Sequence, residues 1–102
     1  MANAEQVLSI LADPTRRALV QELRRCPMTV GQLSATAPVT RSAVSQHLQV
    51  LKAAELVVER REGTRRYYSL APTALGELRA YVDSLWNDAL ANFNQEHGDG
   101  TD

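Results

Sequence analysis

Residues 29–54 read TVGQLSATAPVTRSAVSQHLQVLKAA and contain two short helical patterns separated by a proline. Thr29 and Gln32 have the spacing of a capping box, in which the two side chains satisfy free backbone N–H groups at the start of a helix. The proline ends this first helix, and Thr40 can cap a second one, which we expect at about residues 40–54. Two helices joined by so short a connection must cross steeply, which predicts a helix-turn-helix.

The second of these helices has two different faces when successive residues are placed about 100° apart. Val44, Leu48 and Leu51 fall on one side, which predicts that this side is buried. The opposite side is small, polar and free of acids, and its amide groups suit base edges in a DNA major groove. The residues that we expect to contact DNA from this helix are Arg41, Ser42, Ser45, Gln46, His47 and Gln49.

Two alternatives remain open for this helix. A solvated polar face is common on short helices, so the face alone favours DNA only slightly. His47 lies beside the buried side, and a partly packed histidine that orients the helix is as good an interpretation as a DNA contact.

After Ala54 the pattern changes from helical to extended. Residues 56–61 and 65–70 are rich in β-branched and aromatic side chains, and Gly63 lies in the turn between them, which predicts a β-hairpin. Four arginines crowd this turn, where like charges repel and a polyanion partner removes the conflict. We therefore favour a DNA-binding hairpin over a merely solvated turn. Its candidate DNA contacts are Arg60, Arg61, Arg65 and Arg66.

Helices are expected on both sides of this central region. Residues 3–12 carry a short apolar stripe, and Asp13-Pro14 has the pattern of an N-cap followed by proline at the first helical position. The helix that begins at Pro14 is expected to end near Cys26. Residues 73–95 carry a long, broad apolar stripe, which on so small a domain requires a partner. Residues 96–102 have nothing apolar to bury and are expected to be disordered.

The charge balance is informative only when it is divided by position. The 102 residues suffice for one domain, and 11 Lys and Arg against 12 Asp and Glu give a net charge of -1, which as a total argues against a nucleic-acid binder. Residues 14–66, however, hold ten basic residues against four acids, a net +6, whereas residues 67–102 carry a net -5. We expect the basic part to bind DNA and the acidic part to limit affinity for random DNA.

Several functional classes are disfavoured. Cys26 is the only cysteine, so no disulfide forms within the chain, and we expect it to be a small packed residue rather than a reactive thiol. No apolar run approaches the roughly 18 residues that cross a bilayer, and the N-terminus lacks the pattern of a signal peptide, so we expect a cytoplasmic protein without a membrane partner. No nucleophile–base pair, phosphate loop or carboxylate pair indicates an enzyme or a cofactor.

Four stretches resemble, in the same order, the ArsR family of bacterial winged-helix repressors: LADPTRR at 11–17, TVGQL at 29–33, SAVSQHLQVL at 42–51 and REGTRRYYSL at 61–70. The resemblance covers about residues 7–93. It implies a mainly helical, dimeric winged helix-turn-helix in the order α-α-α-α-β-β-α, within residues 1–95. The recognition helix would be at 40–54, the wing at 56–70, and the dimerisation helices at 3–12 and 73–95.

The resemblance also implies a function and an interface. The expected protein is a homodimeric transcriptional repressor that binds a pseudo-palindromic double-stranded operator and regulates its own gene; the sequence does not specify an inducer. Glu55 occupies a position where the family usually has glycine, so a left-handed helix end there would cost about 1 kcal/mol. The dimer interface implied is Val7, Leu8, Leu11, Leu78, Val82, Leu85, Trp86, Ala89 and Phe93.

Metal sensing is the property of many relatives that this sequence lacks the residues to support. Some of those relatives use a Cys-x-Cys arrangement, and others use histidine and carboxylate pairs on the last helices. Here Cys26 is alone, and the last helix offers only His97, whereas a tight site needs three or four ligands. We expect a metal-independent repressor. The alternatives are a metal-responsive sensor of the same fold and a winged-helix protein-interaction module that does not bind DNA.

Overall fold

The computed structural model describes residues 3–97 and confirms the predicted order of elements. The last strand leads directly into the last helix, which is the longest element of the chain. The elements are α1 (Ala4–Leu11), α2 (Pro14–Leu23), α3 (Val30–Thr36), α4 (Arg41–Ala53), β1 (Val57–Glu62), β2 (Arg65–Leu70) and α5 (Pro72–His97).

Polar side chains start the first four helices, and those of α2, α3 and α4 are the caps that the sequence predicts. The Asp13 carboxylate accepts hydrogen bonds from the backbone N–H groups of Thr15 at 2.9 Å and Arg16 at 3.1 Å. The capping box of α3 is complete, because Thr29 N–H donates to Gln32 Oε1 and Gln32 N–H donates to Thr29 Oγ1. These caps fix where α2 and α3 begin, and thereby how the helix-turn-helix is oriented.

The core lies between α1 to α4 and the inner face of the hairpin. Val7 belongs to this core and is completely buried within the chain, so its assignment to a dimer interface is wrong: it has no surface left for a partner. Helix α2 ends at Leu23 rather than near Cys26, since residues 24–26 have no buried face to hold another helical turn. The largest fully buried side chains are Val7, Leu19, Leu33, Val44, Leu48, Leu51, Leu56 and Val57.

Cys26 lies in the turn that follows α2 and is exposed to solvent. The prediction that it is a packed residue is therefore wrong. The early end of α2 is the reason, because it places Cys26 outside the helix and away from the core.

The hairpin turns over two residues, Gly63 and Thr64, with Glu62 paired to Arg65. Gly63 has φ +64° and Thr64 does not share a positive φ, which is the pattern of a type II′ turn with glycine at its first central position. A short bridge that the sequence did not predict holds the hairpin to the α2–α3 connection. Met28 and Tyr68 exchange two backbone hydrogen bonds, of 3.0 and 2.8 Å.

Helix α4 ends in the left-handed conformation that glycine normally takes. Glu55 has φ +63°, so the strain expected from its sequence position is present. The helix end is nevertheless closed as a Schellman motif: Leu56 N–H donates to Leu51 O at 2.9 Å, and Glu55 N–H donates to Lys52 O at 3.0 Å. Because Leu51 and Leu56 are both fully buried, their burial holds Glu55 in this conformation.

Helix α5 packs on the core only through its first turns. Ala74 is buried, and Leu75 and Leu78 pack partly against the core, whereas residues 81–96 are exposed. The chain therefore measures 67 × 26 × 21 Å, with α1 alongside α5. None of the helices within residues 3–97 is long and apolar enough to cross a membrane.

The predicted C-terminal tail begins too early. Glu96 and His97 continue α5, so they are helical rather than disordered. The rest of that prediction, residues 98–102, lies outside the described residues.

Candidate nucleic-acid interface

Helix α4 presents the polar face that its sequence predicts. Val44, Leu48 and Leu51 are completely buried, and this anchors the helix rigidly on the core. Ser42, Gln46 and Gln49 are exposed on the surface, and Ser45 is half-buried. The helix thus places hydroxyl and amide groups on a rigid support, which is what reading of base edges requires.

His47 lies at the edge of this face and is half-buried. It lies near Asp13 at the start of α2. The hydrogen bond from the backbone N–H of Arg16 is the largest cause of the lowered pKa of Asp13, and the charge of the nearby His47 is the smallest contribution. This placement fits the packed, helix-orienting interpretation of His47, and a DNA contact from its exposed edge stays a prediction.

The Arg41 side chain contacts the neighbouring helix α3. Its guanidinium folds over Gly31 of α3, so closely that a Cβ atom on Gly31 would overlap Nη2 and lie 3.3 Å from Cζ. This contact could not be predicted from local patterns, since Gly31 and Arg41 are ten positions apart. Arg41 therefore lies against α3, and it lines one concave surface with Thr64, Arg65 and Arg66 of the hairpin.

The four arginines of the hairpin have unequal surroundings. Arg60 is paired with Glu62 at 3.5 Å and lies 5.9 Å from the centre of the Tyr67 ring. Arg66 is paired with Glu59 at 3.6 Å. Arg61 and Arg65 have no ion-pair partner within residues 3–97, so theirs are the guanidinium groups of the hairpin that are available for phosphate without loss of a protein contact.

Glu59 links the hairpin to the recognition helix. Its carboxylate accepts a hydrogen bond from Lys52 Nζ at 3.1 Å and lies beside Arg66 and Tyr68. The Lys52 hydrogen bond lowers the pKa of Glu59, against the opposing effect of desolvation, and burial raises the pKa of Tyr68. Sequence analysis missed this role, although an acid between basic residues was the available signal.

A groove of about 510 Å³ opens between α3, the start of α4 and the tip of the hairpin. We call it the arginine groove. Three of its lining residues are arginines and none is acidic, so it concentrates positive charge in a concave surface. Its lining residues are Thr29, Val30, Gly31, Gln32, Arg41, Thr64, Arg65 and Arg66.

Among the residues that the structure describes, no group of three or more His, Cys, Asp or Glu side chains is placed to hold a metal ion.

A helix-turn-helix with an acid-free polar face beside a basic hairpin defines a winged helix-turn-helix DNA-binding protein. The comparisons agree. A family model described as a helix-turn-helix domain matches residues 11–60. The HTH-type transcriptional regulator Rv2034 of Mycobacterium tuberculosis is 51% identical over 94 residues, which are 89% of this chain and 88% of the relative.

Solved structures extend the similarity to the fold. A crystal structure of a possible transcriptional regulator for arsenical resistance has a TM-score of 0.71 and 48% identity, covering 87% of this chain and 93% of the other. The solution structure of the homodimeric winged helix-turn-helix domain Mb0332 from Mycobacterium bovis, a possible ArsR-family regulator, has a TM-score of 0.65 and 30% identity. It covers 82% of this chain and 78% of the other.

The chain belongs to the ArsR/SmtB family of winged helix-turn-helix regulators. It is therefore a DNA-binding transcriptional repressor and not an enzyme, as its sequence predicts.

Proposed function

We propose that the chain represses transcription as a homodimer that binds a pseudo-palindromic operator. The observation that carries this proposal is the apolar face of α5, which consists of large side chains left exposed by the single chain. Their exposed fractions run from 44% to 65%, the largest being that of Trp86. The apolar face of α5 comprises Tyr81, Val82, Leu85, Trp86, Leu90 and Phe93.

Burial of this face requires a partner. Soluble monomers rarely expose so many large apolar side chains along one helix, and burying each contributes roughly 1–2 kcal/mol. A second copy offers the same face in a two-fold arrangement, so each helix covers the other. Leu8 of α1 is 45% exposed beside α5 and extends the interface, with Leu11, Leu78 and Ala89 as further proposed members.

The dimer supplies the geometry for operator binding. Each α4 enters one major groove through the proposed contacts Ser42, Ser45, Gln46 and Gln49, and each wing reaches the adjacent minor groove. Two-fold symmetry places the half-sites about one helical turn apart, so the operator is pseudo-palindromic. The free guanidinium groups of Arg61 and Arg65 are proposed to hold the wing on the backbone.

Sedimentation equilibrium of the full chain tests the dimer, and fluorescence anisotropy with a labelled duplex tests DNA binding. The proposal requires two chains per specific duplex and an affinity that falls steeply with salt. A monomer at micromolar concentration, or binding that salt does not weaken, contradicts it. Footprinting on the DNA upstream of the chain's own gene tests autoregulation, and an unprotected region there contradicts that part alone.

Metal independence is also part of the proposal. It rests on the single cysteine, which leaves one chain without a Cys-x-Cys pair. Calorimetric titration with Zn²⁺ is expected to show no tight stoichiometric binding, and operator affinity is expected to be equal with and without the metal. A tight site that also releases DNA would instead identify a metal-responsive sensor.

A further inference from the structure

We propose that the arginine groove binds one backbone phosphate of the operator in each protomer, and that Gly31 makes this possible because its missing side chain leaves room for the guanidinium of Arg41. The inference rests on the proposed mode of DNA binding and adds a site that combines α3, α4 and the wing. Gly31 acts here as a positioning residue, since it contributes no donor of its own to the phosphate.

The charge of the groove is the first argument. Arg41, Arg65 and Arg66 line one concave surface to which no acid contributes. Arg66 is paired with Glu59 through Nε, which leaves its terminal nitrogens available, and Arg41 and Arg65 have no ion-pair partner within residues 3–97. Three cations gathered in this way repel one another, and an anion in the groove removes that cost.

Two other polar side chains of the groove, those of Thr29 and Gln32, already make hydrogen bonds within the protein. The Thr29 hydroxyl and the Gln32 amide oxygen satisfy each other's backbone N–H groups in the capping box of α3. A ligand that used these two oxygen acceptors would therefore compete with the start of α3. The groove is thus equipped with guanidinium donors, which match the oxygens of a phosphate group.

The position of the groove identifies the source of the phosphate. It lies between the first turn of α4 and the tip of the hairpin. When α4 lies in the major groove and the wing in the adjacent minor groove, the sugar–phosphate backbone that separates the two grooves must pass between them. The arginine groove is the surface of the protein that faces this backbone.

Gly31 determines where the Arg41 guanidinium lies. A Cβ atom at position 31 would overlap Nη2 of Arg41, so the flexible end of the arginine would have to shift from its place beside Gly31. The helix itself would not suffer, because alanine is a better helix former than glycine. Gly31→Ala is therefore expected to keep the charge of the protein and its stability while moving one guanidinium away from the phosphate.

Gly76 provides a matched control. It also lies in a helix, α5, and a Cβ atom there would meet nothing within 4 Å. Affinity for a labelled duplex of mixed sequence is measured by anisotropy over a range of salt concentrations for the wild-type chain, Gly31→Ala, Arg41→Gln, the double variant and Gly76→Ala. Thermal unfolding of each variant is measured in parallel.

The proposal predicts that Gly31→Ala and Arg41→Gln each weaken DNA binding on the order of tenfold. The double variant should bind DNA no more weakly than Arg41→Gln alone, because both substitutions act on the same guanidinium. Gly76→Ala should bind DNA as the wild type does. Arg41→Gln is expected to reduce the slope of log K against log salt by about 0.9 per protomer. The midpoint of thermal unfolding of Gly31→Ala should equal or exceed that of the wild type.

If Gly31→Ala binds DNA with wild-type affinity while Arg41→Gln binds weakly, the role of Gly31 is overturned. If both variants bind DNA with wild-type affinity, the phosphate site is overturned. Failure of the wild-type chain to bind any duplex overturns the proposed function and the groove with it. Titration with inorganic phosphate distinguishes a site for a free anion from a site for DNA phosphate. If phosphate binds saturably, and Arg41→Gln abolishes that binding but leaves DNA affinity unchanged, the groove is a free-anion site and the proposal is contradicted.

Discussion

Replacement of Glu55 by glycine is expected to stabilise the protein, although it removes a side chain and adds backbone freedom. Glu55 has φ +63°, a conformation that costs an L-residue about 1–2 kcal/mol and costs glycine almost nothing. Part of this gain is offset, because the unfolded chain with glycine at position 55 has more conformational entropy to lose on folding than the chain with glutamate, which costs about 0.4–1 kcal/mol. The expected net increase in the free energy of unfolding is about 0.5–1 kcal/mol.

The structure supports this sum because little else changes at position 55. The two hydrogen bonds that close α4 are donated by the backbone N–H groups of residues 55 and 56. Both bonds survive the substitution, because neither uses the Glu55 side chain. For a domain of about 100 residues, the expected gain raises the midpoint of thermal unfolding by roughly 2–6 °C. Circular dichroism at a fixed chain concentration is a suitable assay, since a dimer's midpoint depends on concentration.

Glu55→Ala is the matched control, because it removes the carboxylate but keeps the Cβ atom that causes the strain. We expect it to be clearly less stable than Glu55→Gly. If the two variants unfold at the same temperature, the strain is not stored at this residue and the reasoning is refuted. If both exceed the wild type equally, removal of an acid from the helix C-terminus explains the gain instead.

Three further predictions concern the DNA-binding surface, the dimer and the wing. Gln46→Ala should lose about 1–3 kcal/mol of discrimination between operator and random DNA, whereas Arg65→Ala should weaken all duplexes and reduce the salt slope by about 0.9 per protomer; equal losses on both DNAs for Gln46→Ala would contradict its assignment. Trp86→Ala should remove about 2 kcal/mol of burial from each protomer and raise the dimer dissociation constant roughly a hundredfold or more by sedimentation, while the neighbouring Asn87→Ala leaves it unchanged. The pKa of Glu59 is lowered in the folded chain, so its stabilising contribution is complete above the unfolded pKa and is lost as pH falls through the folded pKa. In urea unfolding, the free energy of unfolding of Glu59→Gln should therefore fall less between neutral and acid pH than that of the wild type. An equal fall in the two proteins would disprove this.

The order of elements could be predicted because its signals are local. Thr29, Thr40 and Asp13 are N-caps whose partners lie within three residues, and Gly63 lies at the turn of a hairpin whose strands adjoin it in sequence. Such contacts are written in short stretches of sequence, and propensity and spacing suffice to identify them.

The features that escaped prediction depend on residues far apart in the chain. Val7 has the same apolar character as Leu8, and only the packing of α1 shows that Val7 is buried in the core while Leu8 stays exposed. Similarly, the hydrogen bonds between Met28 and Tyr68 join segments forty positions apart. The end of α2 depends on tertiary packing rather than on Pro27, because the helix stops where its buried positions stop, at Leu23.

The candidate site likewise has features that local sequence predicts and features that depend on distant residues. The exposed face of α4 could be predicted from its helical period, since burial of Val44, Leu48 and Leu51 determines which residues face outward. The unequal roles of the hairpin arginines could not, because the pairing of Arg66 with Glu59 depends on the strand register and on the position of α4. Charge counts alone do not distinguish an arginine held by an acid from a free one.

Selection of duplexes from a random pool, followed by hydroxyl-radical footprinting of the bound sequence, tests the central claim most directly. The account predicts an enriched pseudo-palindrome with two protected half-sites about 10 bp apart, occupied by two chains, and loss of the enrichment in Gln46→Ala. Enrichment of no sequence, or protection of a single half-site by one chain, would contradict a dimer that reads its operator through α4.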